Sequence, residues 1–320
     1  MFSSLVNSLI LLGVGIGILV GGAELLIRQV QYLATRYNIP PFILGAVILG
    51  FGTSLPEVVV SIFAVINETP LIAYGNAIGS NLLNIGLVLG LAACVSSVPL
   101  VMRAKDTKVS FIFLGLSVLS VTIFASDMNL MPYEALISLA LFGYCMYLLL
   151  TTSPPASSPN KVTPRNPYLV TLLTLLGFGM VGYGGELTVY NAGAFAYEVG
   201  VSEQVVSLVI LAFGTSLPEM VVTLQLALKK ETDIIIGNLL GSNIFNVLLV
   251  LPIAYLFQPL HISWTDLYRD GAFLIGLTSI LIFIGFAWRG ERTLHKKGGV
   301  LLLGIYCAYL GLIAHSVFIA

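Results

Sequence analysis

Charge is scarce in this sequence of 320 residues: Asp, Glu, Lys and Arg make up only 9% of it, while 58% is hydrophobic. Ordinary soluble domains carry about 25% charged residues, so with a mean hydropathy of +1.00 the chain is excluded from the soluble globular class. The same scarcity of cations excludes a nucleic-acid partner. Cysteine is nearly absent as well. Cys94, Cys145 and Cys307 stand singly in apolar segments, which excludes a disulfide framework and any Cys-based metal site. His261, His295 and His315 are equally scattered, so zinc-like or copper-like centres have no ligands to use. No Gly-x-x-x-x-Gly-Lys-Ser/Thr loop occurs; ATP is therefore not the expected energy source, no cofactor is expected, and no enzymatic step on a substrate is implied. The first apolar stretch has no basic residue before it and no small-residue cleavage site followed by a polar region, which reads as a retained helix rather than a signal peptide.

What the chain has instead is hydrophobic runs long enough to cross a bilayer, each about 20 residues or more. They fall at 5–36, 39–66, 70–97, 106–126, 132–152, 168–197, 203–228, 232–258, 270–288 and 298–318, which predicts an all-α integral membrane protein of about ten transmembrane helices. The Pro- and Ser-rich run 153–167 cannot hold a helix and divides the chain near its midpoint. The expected organisation is a first five-helix repeat at 1–152, a linker at 153–167 and a second repeat at 168–320.

Basic residues concentrate in cytoplasmic loops. With both termini outside the cytoplasm and the linker inside, only Arg269 of the 14 Lys and Arg residues falls on the wrong side. A half with an odd number of helices crosses in the opposite sense when repeated, so the two halves are expected to be inverted. Inverted repeats with a midplane site on interrupted helices are the recurrent plan of secondary transporters. The expected location is the cell membrane, inner or plasma, which the chain crosses many times, with the lipid bilayer as its surroundings.

The duplication is written in the sequence itself. Phe-Gly-Thr-Ser-Leu-Pro-Glu occurs at Phe51–Glu57 and again at Phe213–Glu219, an offset of 162 that also pairs Glu24 with Glu186, Asn76 with Asn238, Ser80 with Ser242 and Asn84 with Asn246. From Tyr37 to Asn67 the only charged side chain is Glu57, and from Gln204 to Leu228 it is Glu219; an ionised carboxylate at that depth costs several kcal/mol unless it faces a cavity, partner or ion. Pro56 and Pro218 remove the N–H that the carbonyls of Gly52 and Gly214 would accept, so each helix must bend or break there. Freed carbonyls and the hydroxyls of Thr53, Ser54, Thr215 and Ser216 then lie beside each acid. Spacing by four puts Asn76, Ser80 and Asn84 on one helical face, and Asn238, Ser242 and Asn246 on another. Asn81 and Asn243 lie off this stripe and suit helix packing. The assembled donors are all oxygen, which suits hard cations: two carboxylates balance one Ca²⁺, and several Na⁺ could use the same atoms.

Taken over nearly the whole chain, the two Gly-Thr-Ser-Leu-Pro-Glu motifs and the two Gly-Asn-x-x-Gly-Ser-Asn segments resemble the cation/calcium antiporter superfamily, in its prokaryotic sodium/calcium exchanger branch. The resemblance implies a core of the second, third, seventh and eighth helices, across which the first and sixth slide. It implies Glu57 and Glu219 as shared Ca²⁺/Na⁺ carboxylates, completed by the Thr53 and Thr215 carbonyls. The carbonyls of Gly50 and Ala212, with Ser54, Ser216, Ser80 and Ser242, are implied as flanking sodium ligands, and Asn84 and Asn246 as lining the middle. Exchangers of this family carry Asp where this chain has Asn246. Glu24 and Glu186 are expected to serve structure or gating. The leading expectation is Ca²⁺/Na⁺ antiport by alternating access, with Ca²⁺/H⁺ antiport as the alternative. A passive cation channel and a non-transporting scaffold are the readings from other classes, separable by counter-ion dependence and by ion binding.

Overall fold

With no water in a bilayer core, every backbone N–H and C=O must be satisfied within its own segment, and the long apolar runs accordingly fold as helices. The computed structural model describes residues 2–152, 165–198 and 213–319. In chain order the helices are α1 (Phe2–Tyr37), α2 (Pro41–Ile66), α3 (Pro70–Val95), α4 (Ala104–Phe124), α5 (Pro132–Thr152), α6 (Pro167–Glu198), α7 (Leu217–Leu228), α8 (Thr232–Ile253), α9 (Trp264–Gly285) and α10 (Lys296–Ile319). Among the described residues all but α7 are long and apolar enough to cross a membrane. The first part of the span expected at 203–228 lies outside the described residues. The protein is an all-α integral membrane protein built from two inverted repeats, as the sequence led us to expect.

Two details differ from expectation. Helix α9 starts at Trp264 rather than near 270, so Arg269 lies within a helix and not in a loop. Its charge is tolerated because Arg269 Nε lies 2.7 Å from Asp270 Oδ1, and Tyr309 of α10 donates to the same oxygen at 3.1 Å. Paired charges cost far less at such depth. The connections also hold two short antiparallel ribbons that no period-two pattern announced: β1 (Leu100–Arg103) pairs with β4 (Glu291–Leu294), and β2 (Asn129–Leu130) with β3 (Leu260–His261). Strands of four and two residues are too short to carry a periodic signal. Each ribbon joins one half to the other. Exchanging the halves converts the segment between α3 and α4 into that between α8 and α9, and the segment between α4 and α5 into that between α9 and α10. One ribbon therefore maps onto the other, as a two-fold relation between inverted repeats requires.

The interior is formed by α8, α3 and α2. In their most apolar windows 94% of α8 and 72% of α3 is buried, against 22% for α5 and α10, so the latter pair faces lipid. Helices α2 and α8 meet backbone to backbone. A Cβ at Gly237 would lie 2.2 Å from the Phe42 carbonyl oxygen, and one at Gly241 would lie 2.2 Å from that of Ala46. Lipid tails are as apolar as leucine, so membrane helices gain little from hydrophobicity alone and associate through such close approaches. The two longest helices, α1 and α6, also pack along one another, with Gly184 of α6 set against the Leu19 backbone.

Candidate cation site

The break that the motif requires lies two residues before its proline. Ser54 (φ −87°, ψ 6°) and Ser216 (φ −93°, ψ 2°) leave helical geometry, and the chain restarts at Leu55 and Leu217 with Pro56 and Pro218 in the first turn. Proline is tolerated there because N–H groups in a first turn have no intrahelical partner. Each Glu thus sits in the first turn of a restarted helix, where the unpaired N–H groups favour a negative charge. Gly52 just before the break lies beneath the Phe178 ring of α6, and a Cβ on it would fall 1.8 Å from that ring. The long outer helix therefore rests directly on the broken segment.

Glu57 and Glu219 are both fully buried, and each accepts from the serine of the opposite repeat. Ser216 Oγ donates to Glu57 Oε1 at 3.3 Å, and Ser54 Oγ donates to Glu219 Oε1 at 3.1 Å. These two contacts are images of one another under the 162-residue offset. Ser80 Oγ lies 3.4 Å from Glu57 Oε1 and 3.0 Å from Ser216 Oγ, and Ser242 Oγ donates to the Gly50 carbonyl at 3.3 Å. Thr215 Oγ1 donates to Asn76 Oδ1 at 2.9 Å, whereas Thr53 Oγ1 turns back to the Leu49 carbonyl at 2.9 Å. The symmetry is one of composition and backbone; individual hydroxyls depart from it.

Several buried polar atoms here have no hydrogen-bond partner within the protein: Oε2 of Glu57 and of Glu219, and both amide atoms of Asn84 and of Asn246. Unpaired buried polar groups are costly and rare. Here they occur as image pairs in one place, and the oxygens among them are donors of the kind a hard cation takes. Of the residues expected at the site, all but Ala212, which lies outside the described residues, fall within this region of broken helix and facing stripe.

The stripe has a further feature that sequence reading missed. Both α3 and α8 widen into a π-turn that begins at the site asparagine, Asn84–Val88 in one and Asn246–Val250 in the other, and such turns concentrate at functional sites. Pro252 is a partial signal, since it withholds an N–H from the Leu248 carbonyl, but α3 has no equivalent proline. Also missed was the part of Asn76, whose Nδ2 donates to the Glu57 carbonyl at 3.2 Å and ties α3 to the restarted α2. Asn81 Nδ2 donates to the Asn243 carbonyl at 3.1 Å, a bond between positions related by the repeat, while the Oδ1 atoms of both are buried without a partner. Glu24 lies apart from the site: it holds Lys229 at 2.6 Å and Arg28 at 2.8 Å, tying α1 to the turn between α7 and α8. Glu186 is exposed.

The model of the family described as sodium/calcium exchanger protein matches residues 7–151 and 169–314. Inner membrane protein YrbG of Escherichia coli is 31% identical over 312 residues, covering 95% of both chains. Sodium/calcium exchanger MaX1 of Methanosarcina acetivorans is 28% identical over 348 aligned positions, covering 95% of this chain and 97% of that one. The solved structure of the sodium-calcium exchanger NCX_Mj, soaked with zero Na⁺ and Ca²⁺, superposes with a TM-score of 0.83 at 27% identity, over 98% of this chain and 100% of that one.

Proposed function

The chain belongs to the sodium/calcium exchanger protein family, in its prokaryotic branch, and from that premise we propose that it exchanges Ca²⁺ for Na⁺ by alternating access at the Glu57–Glu219 site. The observation that carries this reading is the pair of buried acids, each held on one oxygen by the opposite repeat's serine and unpaired on the other. Two carboxylates balance one Ca²⁺. The hydroxyls of Ser54, Ser80, Ser216 and Ser242, the carbonyls of Thr53, Thr215, Gly50 and Ala212, and the amide oxygens of Asn84 and Asn246 supply the rest of a coordination shell of about 6–8 oxygens. Na⁺ takes the same kinds of atom, so the two ions compete for one set of ligands. Helices α1 and α6 slide across the core to expose that set to either side.

Uptake of radioactive Ca²⁺ into proteoliposomes tests the driving ion. Na⁺-loaded vesicles are expected to accumulate Ca²⁺, and vesicles with K⁺ on both sides and only a pH gradient are not; the reverse outcome would establish Ca²⁺/H⁺ exchange. Because Asn246 is neutral, the site's charge rests on its two Glu alone. One Ca²⁺ leaves it neutral and three Na⁺ leave it at plus one, so exchange of three for one carries net positive charge outward with departing Na⁺. An interior-positive potential is accordingly expected to speed Ca²⁺ entry and an interior-negative one to slow it. Rates indifferent to voltage would indicate two-for-one exchange.

The topology proposed with this function has both termini outside the cytoplasm of the cell membrane, repeats at 1–152 and 168–320, and a cytoplasmic linker at 153–167. In a background lacking the three native cysteines, a membrane-impermeant thiol reagent is expected to label S4C in intact cells and S157C only after the membrane is opened. Labelling of both from one side would refute the arrangement.

A further inference from the structure

We infer that the face carrying most of the basic residues has a binding site for the phosphate headgroup of an anionic phospholipid, in the cleft between the start of α4 and the β4 connection. The cleft encloses about 760 Å³ and is lined by Arg103, Lys105, Lys108, Trp288, Arg289 and Glu291, among others. Of its four cations, only Arg103 is consumed by internal pairing among the described residues. Arg103 is occupied, because its guanidinium bonds both carboxylate oxygens of Asp233 and lies 3.8 Å from Glu291. Lys105, Lys108 and Arg289, in contrast, form no ion pair with any carboxylate of the described residues. Three unpaired cations thus face one cavity whose single lining carboxylate, Glu291, is directed at Arg103.

Two observations specify lipid as the source of the phosphate. The first is depth. Trp264 and Trp288, the chain's only tryptophans, flank the two ends of α9, the positions at which Trp marks the headgroup level. Lys108 Nζ lies 3.6 Å from the centre of the Trp288 ring, a cation–π contact that holds the ammonium at that level. The second is what lies below the cleft. Ile112, Leu116, Leu119 and Ile123 of α4 are all exposed, and their spacing of four, three and four places them on one stripe that starts one turn beyond Lys108. A headgroup on the cations can send an acyl chain along this stripe; a soluble phosphate cannot use it. Basic pockets between membrane helices take anionic headgroups by this combination. Arg103 connects the cleft to the start of α8 through Asp233, so the headgroup sits one ion pair away from the core.

Trp288 supplies the test. In W264F it is the sole tryptophan, and in proteoliposomes its fluorescence is titrated with phosphatidylglycerol or phosphatidylcholine brominated near the headgroup end of the acyl chain. Brominated phosphatidylglycerol is expected to half-quench at a mole fraction at least about fivefold lower than brominated phosphatidylcholine. The preference should fall to near unity in K105Q/R289Q, a pair of changes that leaves the Lys108–Trp288 contact in place. Equal quenching by the two lipids in the unmodified cleft overturns the proposal, as does a preference unchanged in K105Q/R289Q. Loss of the preference on adding millimolar inorganic phosphate at constant ionic strength also overturns it, by making the site one for free phosphate.

Discussion

Replacing either central acid, by Glu57→Gln or Glu219→Gln, is expected to reduce Ca²⁺ uptake by Na⁺-loaded proteoliposomes to that of protein-free vesicles while leaving the protein folded. The fold should survive because glutamine keeps a carbonyl oxygen that can accept from Ser216 or Ser54, where Glu57 and Glu219 now accept at 3.3 and 3.1 Å. Ion binding should not survive. Removing one unit charge about 4 Å from a doubly charged ion, at an effective dielectric constant of about 20, forfeits about 8 kcal/mol of attraction, which is about a millionfold in affinity. Both variants are predicted to behave alike, because the acids are equivalent by composition and by their cross-repeat serine contacts. Wild-type uptake by Glu219→Gln, with Glu57→Gln dead, would mean that only one half binds the ion.

A comparably large effect is expected far from any charge. Gly241→Val puts a branched side chain where even a Cβ would lie 2.2 Å from the Ala46 carbonyl oxygen and 2.8 Å from its Cα. Overpacking usually costs about 1–3 kcal/mol. The upper end or beyond is expected here, because the obstacle is backbone rather than a side chain able to rotate away. Helix α2 carries Glu57 and α8 carries Asn246, so any separation of the two also opens the site. The measurement is a thermal melt in detergent monitored by size-exclusion chromatography, with Gly13→Val as the control, since a Cβ at Gly13 meets nothing within 4 Å. The control is expected to melt like the unmodified protein and Gly241→Val to be lost or to melt many degrees lower. Equal melting of the two would remove the close α2–α8 contact from the account.

Both predictions rest on features of different legibility. The acids could be read directly from the sequence, because a carboxylate inside an apolar span is costly enough to need a reason, and its exact repetition 162 residues later supplied one. The helix breaks followed from Pro56 and Pro218, although the distorted residue proved to be the preceding serine. What could not be read was set by partners distant in the chain. Gly237 and Gly241 look like ordinary small residues until α2 is laid against them, and Gly52 until Phe178 covers it. The π-turns at Asn84 and Asn246 leave no local pattern beyond Pro252 in one copy. Helix α9 begins before the apolar run from 270 because Arg269, which reads as the end of a loop, has its charge met by Asp270 within the helix.

The central claim is that Ca²⁺ and Na⁺ share one site built from both halves of the chain. Equilibrium binding of radioactive Ca²⁺ to the purified protein, titrated with Na⁺ at constant ionic strength, tests it most directly. The account predicts one Ca²⁺ per chain, displaced by Na⁺ along a curve steeper than one-for-one competition, with no Ca²⁺ bound by Glu57→Gln or Glu219→Gln. Bound Ca²⁺ that Na⁺ leaves in place, or full binding by either variant, would contradict it.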